Sequence, residues 1–146
     1  MRNDVVQESE KPTQRVIDQR VRNRMMEELL YLAAGDQAVL EMGYGEYLES
    51  FFTWFPIEGA AHANSALNGQ EHQVLSDLLP LMQTMYSEVP NEVGEVALIA
   101  TGWPMRIAPI AESALEVFRA RGRFNEEMEE DEPAVPGWVA HRTEFN

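Results

Sequence analysis

The chain contains no cysteine. That excludes a disulfide framework, an iron–sulfur cluster, a thiolate zinc site and a cysteine nucleophile. No apolar run approaches the roughly 18 residues a membrane-spanning helix needs. The opening MRNDVVQESEKP has no apolar stretch of the signal-peptide kind, and no N-x-S/T sequon occurs. These absences predict a cytoplasmic protein. A further absence is local: from Met25 to Met105, 81 residues hold twelve carboxylates and neither lysine nor arginine. The basic residues gather instead in two clusters, Arg15 to Arg24 and Arg106 to Arg123. With a net charge of −14, nucleic acid and anionic membranes are disfavoured as partners, and a cationic partner is favoured.

What is present points to one helical domain. At 146 residues and 45% hydrophobic content, the chain can bury roughly 70% of its unfolded surface. Residues 1–12 are polar and are expected to be disordered. Thr13 is a candidate N-cap for a helix running to Ala34 before Gly35. Its apolar stripe is Ile17, Val21, Met25, Leu29 and Leu32, and its second half is expected to be mostly buried. Asp36 can cap a short helix, Gln37 to Met42, that Gly43-Tyr44-Gly45 breaks. Glu46 to Phe55 reads as an aromatic helix ended by Pro56, and 57–69 as loop. Gln70 to Tyr86 is helical, with Val74, Leu75, Leu78, Leu79, Met82, Met85 and Tyr86 on one face. Pro80 falls opposite, where a helical proline is best tolerated.

Residues 91–100, with Asn91 as a possible cap, fit either a helix or a buried strand, and the helical context favours the helix. Met105 to Arg121 is a further helix ending at Gly122, with a stripe of Ile107, Ile110, Ala111, Ala114, Leu115 and Phe118. Asn125 caps an acidic turn, Glu126 to Glu132. Pro133 and Pro136 make the tail extended, with Val135, Trp138 and Val139 as anchors onto the body. The expected architecture is all-α, five or six helices over 13–124, followed by an acidic turn and tail over 125–146.

Four groups of residues are candidates for function. Asp18, Arg22 and Glu28 project into the apolar arc of the first helix, and Arg20 and Arg24 share a face with Glu27 and Tyr31. Cations early and carboxylates late oppose the helix dipole, so tertiary partners or a ligand must hold them. Either a buried ion-pair network or an anion site built by Arg22 and Arg24 follows. Arg119, Arg121 and Arg123 end a helix, where the dipole favours cations, and intrachain pairing is their expected role. Tyr44, Tyr47, Phe51, Phe52, Trp54 and Phe55, interleaved with Glu46 and Glu49 and joined by Trp103, combine core positions with a surface able to receive a cationic side chain. His62 and His72 lack any H-E-x-x-H or H-x-H spacing, so no metal site is expected. The serines lack a nucleophile setting, Gly43-x-Gly45 is no dinucleotide fingerprint, and no cofactor is indicated.

Three stretches, Arg20-Val21-Arg22-Asn23-Arg24-Met25-Met26-Glu27, Trp54-Phe55-Pro56 and Thr101-Gly102-Trp103-Pro104-Met105-Arg106-Ile107-Ala108-Pro109, resemble small acidic bacterial proteins of about this length. The resemblance covers residues 15–132. It implies a bacterial cytoplasmic protein and brings no activity, cofactor or site residues. Three functions follow as expectations. The first is a non-enzymatic interaction protein, immunity- or inhibitor-like, for a basic partner. The second is a small-molecule or enzymatic site for an anionic ligand, with Arg22 or Arg24 orienting it and Trp54 or Trp103 as its wall. The third is a structural homodimer. Candidate binding residues are Arg22, Arg24, Tyr44, Glu46, Tyr47, Glu49, Trp54 and Trp103.

Overall fold

A computed structural model describes residues 11–55, 64–89 and 94–134. The described residues are all-α, with six helices and no strand element. They are α1 (Gln14–Ala33), α2 (Asp36–Met42), α3 (Tyr44–Trp54), α4 (Gly69–Glu88), α5 (Glu95–Ala100) and α6 (Trp103–Arg121). The expectations for residues 1–10, for Asn91 as a cap, for His62, and for Val135, Trp138 and Val139 as anchors lie outside the described residues.

α1 begins as expected: Thr13 Oγ1 accepts from the Val16 amide at 3.2 Å. Its end is set by Gly35, whose φ of +62° suits glycine alone, and a Cβ there would stand 3.0 Å from Met105 Sδ. Several boundaries differ from expectation, among them the end of α4 at Glu88 and the starts of α5 at Glu95 and α6 at Trp103. α2 starts at Asp36 with Gly35 as its N-cap, so Asp36 lies in the first turn rather than capping it. α3 starts at Tyr44, because only Gly43 (φ +93°) breaks the chain and Gly45 is helical. α4 starts at Gly69, where Asn68 and Glu71 form a reciprocal capping box. Residues 95–100 are helix, not strand.

α1 packs along α6 and against α3, and α4 packs against α6 and α3. The short α2 and α5 touch each other and close one end against α6. The core runs through Met25, Met26, Leu29 and Leu32 of α1, Tyr47 and Phe51 of α3, Leu78, Met82 and Met85 of α4, Leu98 of α5, and Ile107, Leu115 and Phe118 of α6. Each such side chain, once buried, contributes about 1.5–3 kcal/mol of transfer free energy. Pro80 lies on the exposed face of α4, where a missing amide bond is best replaced by water.

The stripe predicted for the first half of α1 is corrected. Ile17 is 38% exposed, whereas Asp18, Gln19, Arg22 and Asn23 are buried. Tyr86 (48%) and Ile110 (38%) also leave their stripes for the surface. α1 thus buries polar side chains in its first half and mainly apolar ones in its second. That division positions everything that follows.

Candidate functional site

Arg22 is the largest fully buried side chain. A guanidinium carries five donors and no acceptor, so burying it demands five acceptors. Nε and Nη2 reach the two Glu71 carboxylate oxygens at 3.2 and 2.7 Å, a bidentate pair. Nη2 also donates to the Phe118 carbonyl (3.1 Å), and Nη1 to the Gly122 carbonyl (2.7 Å) and Met26 Sδ (3.5 Å). Those carbonyls close the C-terminal end of α6, where the helix dipole is negative. Glu71 lies in the first turn of α4, where it is positive. Arg22 therefore links two helix ends of opposite polarity, which explains cations early in α1. Nearby, Asp18 Oδ2 accepts from the Ser65 amide at 2.9 Å, and Gln14 donates to Oδ1 at 3.0 Å.

Glu71, equally buried, also accepts from Arg121 Nη1 (2.8 Å) and from the Asn68 amide (3.0 Å). Around this pair the aromatic partners are phenylalanines rather than tryptophans. The Phe124 ring has the guanidiniums of Arg15, Arg22 and Arg121 at 5.2, 5.2 and 5.4 Å from its centroid, and Phe118 has Arg22 at 5.0 Å. Arg24 pairs with Glu126 and, at 3.6 Å, with Glu27; Arg123 pairs with Glu27 at 2.8 Å. Burial works against ionisation of Glu126, but the Asn23 hydrogen bond and the charges of Arg24 and Arg123 prevail and hold its pKa below the usual carboxylate range. Arg119 pairs with Glu116 at 2.7 Å.

The second half of α1 has the opposite character. Glu28 is 4% exposed; among the described residues it has no ion-pair partner, and it accepts one hydrogen bond, from Ser50 Oγ at 2.8 Å. Burial, with the nearby Glu46 charge adding to it and the Ser50 bond offsetting part, pushes the carboxyl up to about 7. Tyr47 is fully buried and its hydroxyl has no partner among the described residues; burial, then the charges of Glu28 and Asp36, push its phenol up. Asp36 Oδ1 is likewise buried without a partner.

The sequence candidates therefore separate. Arg22 and Arg24 belong to the paired network. Tyr47 is core, while Tyr44 gives its amide to Glu95 Oε2 at 3.1 Å. Glu46, Glu49 and Trp54 lie exposed on α3, and Phe52 meets Tyr86 edge to face at 5.5 Å. Trp103 is buried, donates to Glu88 at 3.2 Å and stacks under Arg106 at 4.0 Å. Trp54 and Trp103 are not brought to Arg22. The sequence reading overlooked Glu71, Gln19, Asn23 and Phe124. The Asn68-x-x-Glu71 spacing of a capping box was the available signal for the first. The other three carried none, being read as helix surface and loop.

A cavity of about 60 Å³ lies between α3 and α4, lined by Phe51, Phe55, Leu67, His72, Leu75, Ser76 and Leu79. No group of three His, Asp or Glu among the described residues could hold a metal ion. No described helix is long and apolar enough to cross a membrane. No family model matches the chain, and no curated protein or solved structure matches it either.

Proposed function

We propose that the protein is a non-enzymatic interaction module, of the immunity or inhibitor kind, that binds a basic partner through its lysine- and arginine-free body. One observation carries this reading: among the described residues, Arg22, Arg24, Arg119, Arg121 and Arg123 pair with the chain's own carboxylates, and no ion pair reaches Glu46 or Glu49. Glu46 and Glu49 stand exposed one turn apart on α3, and one turn beyond Glu49 the half-buried Phe52 meets the exposed Tyr86. An aromatic edge with two carboxylates suits an incoming lysine or arginine, which gains both charge and cation–π attraction. The small-molecule alternative is less well supported, since Arg22 has all five donors engaged.

The test is affinity capture from a host lysate with wild type and an E46Q/E49Q variant. A basic protein retained at about 50 mM salt, released near 0.5 M and missed by the variant supports the reading. Equal retention by the variant contradicts it. A homodimer is the second reading. It is favoured by Leu40 (63% exposed), Val96 (80%) and Met105 (58%), on the three helices that close one end. Light scattering at micromolar concentration distinguishes it by mass.

A further inference from the structure

After α6 ends, residues 122–132 lie across the first half of α1 with little apolar contact. Phe124 is buried there, but Met128 is 61% exposed. What holds the segment is a row of α1 side chains that read its main chain. Asn23 grips Phe124 on both sides: Nδ2 donates to its carbonyl at 2.9 Å, and Oδ1 accepts from its amide at 3.1 Å. Gln19 donates to the carbonyls of Asn125 (2.8 Å) and Met128 (2.9 Å) and accepts from the Glu130 amide (2.8 Å). Arg20 takes the Glu126 carbonyl at 2.7 Å, and Arg15 the Glu130 carbonyl at 2.7 Å.

Main-chain hydrogen bonds place a peptide in register and say nothing about its sequence. Two positions supply the sequence information. The Phe124 ring fills a slot walled by three guanidiniums. Two residues later the Glu126 carboxylate meets Asn23, Arg24 and Arg123. This is how a peptide-binding surface is built: backbone readers, one aromatic slot and one carboxylate pocket. Here the chain's own segment occupies it, joined to α6 through Gly122, whose φ of +104° favours glycine.

We infer that the first half of α1 is a recognition surface for acidic peptide segments with an aromatic residue followed two positions later by a carboxylate, held closed in cis by residues 122–132. The inference is independent of the basic partner proposed for the body. The two surfaces select opposite charge. A tethered segment acts at an effective concentration on the order of millimolar, so a competitor gains access only when the strap lifts or is weakened. The strap's polar grip is consistent with lifting: its hydrogen bonds can be exchanged for water, whereas the buried apolar side chains of α6 cannot.

The test uses the full chain and a fluorescent peptide of residues 122–134. A Phe124→Ala variant keeps the backbone readers and empties the slot. It is expected to bind the peptide at least about tenfold more tightly than wild type does. Adding Asn23→Ala, or replacing the phenylalanine in the peptide by alanine, is expected to remove most of that gain. A folded F124A chain that binds no better than wild type, or binds the alanine peptide equally well, overturns the inference. Should F124A fail to fold, amide exchange of the wild type decides. The amides of Phe124, Glu127, Met128 and Glu130 are expected to exchange together and well before those of central α1 and α6. If they exchange only with global unfolding, the strap does not open and the surface is structural.

Discussion

The two halves of α1 solve the same problem, buried ionisable groups, in opposite ways. The first half buries Arg22 and gives it a bidentate carboxylate, two helix-end carbonyls and a thioether. The second half buries Glu28 and gives it one serine hydroxyl. A charge taken out of water is tolerable only when its field is answered locally; otherwise the group gives up its charge. Arg22 cannot release its proton at any ordinary pH, so it must be paired. Glu28 can take one up, and about pH 7 it does. The segment without lysine or arginine is therefore more than a surface property. The nearest α1 cation, Arg24, is already paired with Glu27 and Glu126, and among the described residues none is paired with Glu28.

The comparison breaks most visibly at Glu71. Glu71→Ala strands a fully buried guanidinium and is expected to cost about 3–5 kcal/mol in urea unfolding. An Arg22→Met, Glu71→Leu double replacement removes both charges and is expected to recover most of that loss; failure to recover would mean the capping box and Arg121, rather than the pair, carry the stability. In the other half, Tyr47→Phe deletes a buried hydroxyl that has no partner. It is expected to leave stability unchanged or raise it by about 1 kcal/mol, read from the same denaturation midpoint.

The smallest effect belongs to Glu126, which is about one-third exposed and screened by solvent. Its lowered pKa gives stability that is present above the ordinary carboxylate value and fades as pH falls through the folded one. Glu126→Gln is expected to flatten the acid limb of the stability curve slightly, and high salt to flatten it equally in wild type. An acid limb unmoved by E126Q would place its origin in other carboxylates.

Much of the fold could be read in the chain. Thr13, Gly35 and Gly122 mark helix ends by chemistry that acts within a few residues, and the stripes in α4 and α6 set their buried faces apart from Tyr86 and Ile110. Gly45 misled because an exposed helical glycine looks like a breaker; only Gly43 has the positive φ that stops a helix. The site was legible only as a tension. Cations at the wrong end of α1 demanded partners, but Glu71 is 49 residues away and Phe118, Gly122 and Phe124 lie 96, 100 and 101 positions from the α1 residues that hold them. Local periodicity carries no information at that range. Glu28 was visible within the stripe, but its lack of a cation depended on which arginines the strap and α4 had already engaged.

The central claim is that α1's second half holds an uncompensated acid. Glu28 has an ordinary value of 4.5 and a folded value of about 7, so the folded chain binds its proton more tightly than the unfolded chain does. The stability it lends is complete below about pH 4.5 and is lost as pH rises through 7, a loss on the order of 3 kcal/mol. Glu28→Gln keeps the acceptor for Ser50 and cannot ionise. The most direct measurement is the unfolding free energy of wild type and E28Q from pH 4 to 9. The account predicts curves that coincide near pH 4 and diverge through neutrality, with E28Q the more stable by about 3 kcal/mol at pH 8. Curves that run parallel across the range would contradict it.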